Sequence, residues 1–332
     1  MKRPGHLMES IASLENLYLA YQKACRGKRR KQEVLHFAAY FDENMERMRR
    51  QILDGTVAVG DYHFFTIRDP KVRVICAAPF CERILQHAVI NICHPYFDRN
   101  LIFSTYATRK GKGIYAALDK AVSAMSHYSF TVKLDFRKYY DSIDHHILKE
   151  KLRRLFKDAA LLHLFDRIID SYCTVEGKGL PIGNLASQYF ANAYLSTLDH
   201  LVMETLPPPV YIRYMDDILM AGNDLAELRR SVRVMSSFSS ERLRLTLKPP
   251  VFRKAKDGQN FLGYRVRPYH YQLSGRSKRR FRSKLLKYNK LLEGEMWNEE
   301  QYQAHILPLL SFAQHAESKS FRKSCLQIAS IR

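Results

Sequence analysis

The chain has 332 residues, 46% of them hydrophobic, which is enough to bury a core shared by two or three subdomains. Lys and Arg number 54 against 33 Asp and Glu, and the resulting +21 is spread along most of the chain; this points to a polyanionic partner and leaves the chemistry open. Cys25, Cys76, Cys81, Cys93, Cys173 and Cys325 form no CxxC pair, no segment approaches about 18 uncharged apolar residues, and the opening MKRPGHLMESIASLENLYLA lacks an unbroken apolar run. Zinc knuckles, a secreted disulfide framework, a membrane span and a secretory leader are therefore not expected, and a reducing cytoplasm fits best.

From Ser10 to about Leu53 apolar residues recur at helical spacing, as at Leu14, Leu17 and Tyr21 and again at Val34, Phe37, Phe41 and Met45. The basic run Arg26 to Lys31 interrupts them and predicts a loop. Residues 62–78 predict a β-hairpin turning at Asp69-Pro70, followed by a helix over Glu82 to Phe97 and another starting near Gly113. Phe130 to Phe136 predicts a buried strand, and Tyr139 to Phe156 the helix after it. Residues 184–199 predict a helix with small residues on one side, suited to close packing. Val210 to Ala221 predicts two short apolar strands joined at Asp216-Asp217, with Asn223 capping a helix that runs to about Ser240. Phe261 to Tyr264 lies in a further hairpin, and the 68 residues after it predict basic helices. With no internal repeat, the order of elements predicts an α+β architecture.

The carboxylates carry the chemistry. Phosphoryl transfer to a 3′-hydroxyl uses two divalent cations about 3.5 to 4 Å apart, held by hard oxygen ligands. One carboxylate closing a central strand and another group at a neighbouring hairpin tip would hold them. Asp135 closes an apolar strand and Asp216-Asp217 sit at a hairpin tip, although an Asp-Asp pair between strands is also a common turn.

Tyr214-Met215-Asp216-Asp217 resembles the YxDD box of reverse transcriptases, and further boxes stand in order around it. Leu134-Asp-Phe-Arg-Lys-Tyr-Tyr-Asp-Ser-Ile-Asp-His145 resembles the first palm box, Gly179 to Gln188 the second, and Phe261-Leu262-Gly263-Tyr264 the primer-grip hairpin. Pro70 to Arg73 and Ser104 to Arg109 resemble the fingers boxes, so that the match runs from about residue 66 to 268. The resemblance implies a right-hand polymerase fold with fingers, an antiparallel palm and a small helical thumb. A basic helical extension would occupy 1–60, fingers 61–127 with 150–178, palm 128–149 and 179–270, and thumb 271–332.

The resemblance also assigns roles. Asp135, Asp216 and Asp217 would be catalytic and, with the Phe136 carbonyl, would hold two Mg2+ ions, Mn2+ serving as a substitute. Consecutive strand residues face opposite ways, so Asp216 and Asp217 cannot contribute identically. Asp141 and Asp144 read instead as helix-start charges complementing the dipole. Tyr140 would sit against the sugar 2′ carbon and exclude ribose, while its neighbour Tyr139 fits a core aromatic. Lys71 and Arg73, two apart on a strand, would clamp the triphosphate of a deoxynucleotide, with Ile182 and Gly183 also contacting that nucleotide and Lys248 a proton donor to pyrophosphate. Arg109, Lys110 and Lys112 would meet template phosphates. Tyr214, Met215 and Phe261 to Tyr264 would meet the primer end.

The second palm box departs from the majority pattern Gln-Gly-x-x-x-Ser-Pro: this chain has Ile182-Gly183-Asn-Leu-Ala-Ser187-Gln188. Both differences match reverse transcriptases of diversity-generating retroelements, which copy a template RNA with errors concentrated at adenines. An aliphatic Ile182 keeps the volume of an amide and loses its hydrogen bonds, so Ile182, Ser187 and Gln188 are fidelity candidates. The implied partners are template RNA, cDNA primer and product, deoxynucleotides and a small basic accessory protein. The 68 residues after Tyr264 leave no room for an RNase H or endonuclease domain. Retron, abortive-infection and intron-derived enzymes, a non-catalytic RNA-binding scaffold and an RNA-dependent RNA polymerase remain as alternatives.

Overall fold

The computed structural model describes residues 3–68 and 72–330. Four helices come first, α1 (Met8–Ala12), α2 (Leu14–Ala24), α3 (Gln32–Ala39) and α4 (Phe41–Leu53), with the basic run between α2 and α3 in turns, as its composition predicts. The antiparallel strands β1 (His63–Arg68) and β2 (Val72–Ala77) lead into α5 (Phe80–Asn100) and α6 (Ile114–His127). The turn predicted at Asp69-Pro70 lies outside the described residues. Strand β3 (Phe130–Leu134), α7 (Tyr139–Ser142), α8 (His145–Leu155), α9 (Ala159–Asp170) and α10 (Leu185–Thr205) follow, then β4 (Val210–Tyr214), β5 (Asp217–Gly222) and α11 (Leu225–Leu243). The chain closes with β6 (Val251–Lys254), β7 (Gln259–Phe261), β8 (Tyr264–Arg267), β9 (His270–Leu273), α12 (Gly275–Glu293), α13 (Glu299–Gln314) and α14 (Lys319–Ser330). No described helix is long and apolar enough to cross a membrane.

Two compact units share these elements: residues 1–103, 136–205 and 234–247 form the first, and 104–135, 206–233 and 248–332 the second. In the first, α5 is buried around much of its circumference, with Ile84, Leu85, Ala88, Val89, Cys93 and Phe97 in the core, so it is a central helix. Helix α10 brings Ala186, Ala191 and Ala193 to its buried face. The small residues let it pack against α5. Phe97, Phe156, Phe165 and Phe190 interlock with ring centroids 5.2 to 6.3 Å apart.

The second unit holds a four-stranded antiparallel sheet in the order β4-β5-β3-β6 and a three-stranded sheet β7-β8-β9. Helix α6 buries Ala117, Leu118, Ala121 and Met125 in the same core as Ile212 and Leu219 of the larger sheet and Tyr264 and Val266 of the smaller. Helices α12 to α14 add Phe281, Leu285, Ile306 and Ala313 to it.

Two expectations fail at helix boundaries. The single helix over Tyr139 to Phe156 is broken: Ile143 and Asp144 are extended, and the Asp144 side chain accepts from Ile147 N at 3.2 Å to start α8 afresh. Asp144 also accepts from Arg244 at 2.8 Å, a partner 100 residues away that rewards the break. Asn223 does not cap α11. Asp224 does, accepting from Ala226 N at 2.6 Å, because Asn223 Oδ1 is occupied by the Ser129 N–H at 2.9 Å.

Candidate active site

The three aspartates lie in the second unit, where β5 is paired on both sides. Strand β4 ends at Tyr214, which pairs with Asp217, so Met215 and Asp216 form the two-residue turn. Met215 has φ of 54°, the left-handed conformation a tight hairpin requires. Its carbonyl accepts from the guanidinium of Arg213 at 3.0 Å; Arg213, fully buried, fixes the turn from beneath. On the other side Leu134 pairs with Ile218, so the chain leaving β3 delivers Asp135 alongside the start of β5.

Charge decides how these groups are held. Asp217 is bound to Lys133 Nζ at 2.8 Å, and Asp135 to Lys248 Nζ at 2.5 Å, with Lys248 N also donating to the Asp135 carbonyl at 2.8 Å. Asp216 titrates well above the usual carboxylate range, pushed up to about 6 by burial and then by the neighbouring charges of Asp217 and Asp135; Lys248 offsets this in part. Adjacent in sequence, Asp216 in the turn and Asp217 at the start of β5 thus have different environments. Among the described residues no group of three or more His, Cys, Asp or Glu is arranged to hold a metal ion.

Lys133 and Arg213 are the residues sequence reasoning passed over. A signal was present, since each is a cation inside an apolar strand, and Lys133 stands two residues before Asp135.

The remaining candidates of this unit flank the sheets. Arg109 donates to Thr105 Oγ1 at 3.0 Å, Lys112 lies over the Tyr106 ring at 5.1 Å, and Lys110 is exposed. Phe261 and Tyr264 are core residues, the Tyr264 hydroxyl donating to the Phe312 carbonyl at 2.8 Å. Of the turn between them, Gly263 is exposed and Leu262 is half-buried against the same core.

In the first unit, Phe136 is buried and bridges to Leu247. Tyr139 is a core residue whose hydroxyl donates to the Ala191 carbonyl at 2.6 Å, while Tyr140 is half-buried, its ring edge-on to Tyr139 at 5.8 Å. The Tyr140 carbonyl accepts from Leu180 N at 2.9 Å, and the Ile182 carbonyl from Cys76 N at 2.8 Å. Gly183 has φ of 119°, and a Cβ there would stand 3.0 Å from the Cys76 carbonyl and from Ile75 Cγ2, so glycine is what allows the loop to lie on β2. Arg73 is exposed on β2; Lys71 lies outside the described residues. Ser187 is buried in α10 with its hydroxyl unpartnered, and Gln188 is half-buried beside it.

Comparison with known proteins agrees with the boxes. Residues 67–266, more than half of the chain, match the family described as reverse transcriptase (RNA-dependent DNA polymerase). Similar proteins include the putative COX1/OXI3 intron 1 protein of Saccharomyces cerevisiae, 21% identical over 48% of this chain and 21% of the relative. Protein YkfC of Escherichia coli is 21% identical over 59% of this chain and 63% of the relative. The chain thus spans less than two thirds of either relative. Among solved structures, apo telomerase from Candida tropicalis truncated from its C-terminal domain matches with a TM-score of 0.51 at 13% identity, over 66% of this chain and 56% of that one. Telomerase from Candida albicans, in complex with a TWJ fragment of telomeric RNA, matches with a TM-score of 0.51 at 14% identity, over 80% of this chain and 56% of that one. The likeness to these two concerns the fold alone.

Proposed function

Because the chain belongs to the reverse transcriptase family, we propose that it is an RNA-directed DNA polymerase extending a DNA primer on an RNA template by two-metal nucleotidyl transfer. The observation that carries this reading is Asp216, a half-buried carboxyl crowded by two others at a hairpin tip inside the matched region. Crowded carboxylates disfavour one another unless a cation joins them, and their oxygens are the donor set magnesium prefers. The residues therefore fit the ion, with Asp135 and Asp216 as principal ligands and Asp217 and the Phe136 carbonyl in support. Bound there, divalent cations supply charge neutralisation at the triphosphate and activation of the primer hydroxyl.

The chain's own groups do the rest. Lys133 and Lys248 balance Asp217 and Asp135, and the Lys248 ammonium would be the group to protonate departing pyrophosphate. Arg73 and Lys71 take the triphosphate, with Ile182 and Gly183 beside the base. Tyr140, its neighbour Tyr139 anchored to Ala191, excludes a 2′-hydroxyl. Helix α12 has one apolar face, with Phe281, Leu285 and Tyr288, and an opposite face carrying Arg276, Arg279, Lys287 and Lys290, suited to the phosphates of a primer–template duplex. In this reading α12 to α14 form the thumb, the four-stranded sheet the palm, and β1 and β2 belong to the fingers.

For its biological class, the similarity to an intron protein supports an enzyme of the intron-related kind. A second reading, an error-tolerant copier of a diversity-generating retroelement working with a small basic accessory protein, is favoured by Ile182 and Gln188 alone. Sequencing cDNA made from an adenine-bearing RNA tests both levels. The proposal expects full-length cDNA from the wild type and none from Asp135→Asn. Errors concentrated at template adenines support the second reading, and evenly distributed errors the first. A wild type that makes no cDNA from any RNA template with Mg2+ or Mn2+ would overturn the polymerase reading altogether.

A further inference from the structure

Arg83, His87 and Asn91 are spaced by four residues on α5 and stack on one face along about 12 Å of helix. That face meets α2, where Lys23 Nζ near the helix end donates to Asn91 Oδ1 and Asn91 in turn donates to Asn16 of the first turn at 2.9 Å. The turn after α2 adds Arg26 and Lys28, both exposed. Against these cations stands one paired carboxylate, Glu33 of α3, which holds Arg83 Nη2 at 2.5 Å.

Two independent features mark an excess of positive charge with an acceptor wanting. The Arg83 guanidinium lies over the Phe80 ring at 5.3 Å and gives Nη1 to the Ala78 carbonyl at 3.4 Å, yet its Nε is buried with no hydrogen-bond partner. Buried donors without partners are costly and uncommon. Separately, the imidazole of His87 is pushed down to about 4 by burial and then by Lys23, Arg26, Lys28 and Arg83, and the Lys28 ammonium is lowered by burial and by Arg83. Neutral His87 keeps a ring N–H to donate.

We propose that Lys23, Arg26, Lys28, Arg83 and His87 form a binding site for a phosphate group, either a phosphodiester of a bound RNA or a free phosphate. The site belongs entirely to the first unit and does not depend on the polymerase reading. A phosphate there has oxygens for several cations at once and meets Arg83, whose planar fork suits that geometry.

His87 is a built-in reporter, because an anion seated among the cations opposes the field that lowers it. The test is the titration of His87 by NMR in the full chain carrying labelled histidine, assigned through His87→Gln. Titrations are run in chloride, in inorganic phosphate at matched ionic strength, and with a short single-stranded RNA. The expected result is an upward shift of about one pH unit, lost in Arg26→Ser/Lys28→Ser, whose thermal melt should match the wild type. A shift with phosphate alone assigns a free anion, and a shift that needs RNA assigns a phosphodiester; either supports the site. If the double variant melts early, Lys28→Gln by itself should reduce the shift. No movement with phosphate or RNA, or a shift unchanged in these variants, overturns the proposal.

Discussion

Proton and metal compete for Asp216, and the competition can be measured. With its carboxyl titrating at about 6, Asp216 is about 97% ionised at pH 7.5 and about a quarter ionised at pH 5.5. A cation that needs the carboxylate must displace the proton, so apparent Mg2+ affinity should fall about fourfold between these pH values, or about 0.8 kcal/mol. A carboxylate in the ordinary range would lose almost nothing. The sign follows from the cause: burial, Asp217 and Asp135 all disfavour the charged form, so the proton is taken up as pH falls through about 6 and the loss of metal lies on the acid side. Asp217→Asn removes the largest neighbouring charge and should move the midpoint toward acid. Calorimetric Mg2+ titrations across pH 5 to 8, on wild type and variant, read both effects. Flat wild-type affinity, or a midpoint that Asp217→Asn leaves in place, would refute the reasoning.

Other substitutions probe the surroundings. Tyr140→Val should raise ribonucleotide incorporation in primer extension, and an unchanged sugar preference would remove Tyr140 from the sugar gate. Ile182→Gln should lower misincorporation opposite template adenine, measured by sequencing products; equal error rates would show that the missing amide does not set fidelity. Gly183→Ala must place a Cβ against the Cys76 carbonyl at positive φ and should cost about 1 to 3 kcal/mol in urea denaturation. Asp144→Ala removes the cap of α8 together with the Arg244 contact and should cost about 1 to 2 kcal/mol in the same assay. Burial raises Asp144, but its bonds to Ile147 N and Arg244 outweigh that and hold it below its usual value, so this contribution should vanish as pH falls through the acid range.

Elements whose signal is local were legible in the sequence. The apolar runs at Phe130–Leu134 and Val210–Gly222 are the strands that bring the aspartates together, and the small residues of 185–205 form the helix packed on α5. What escaped depends on partners distant in sequence. The helix beginning at Tyr139 breaks where Asp144 finds Arg244, and Asn223 surrenders the cap to Asp224 because Ser129 claims its side chain. The pairing of Lys133 with Asp217 belongs here too, and Lys248, expected at the triphosphate, is found against Asp135.

The central claim is that Asp216 acts in RNA-templated DNA synthesis. Its most direct test is addition of one deoxynucleotide to a DNA primer annealed to RNA, in Mg2+, by wild type and by a folded Asp216→Asn variant. The account predicts extension by the wild type and a loss of about a hundred- to a thousandfold in the variant. Equal extension by both, or none by the wild type, would contradict it.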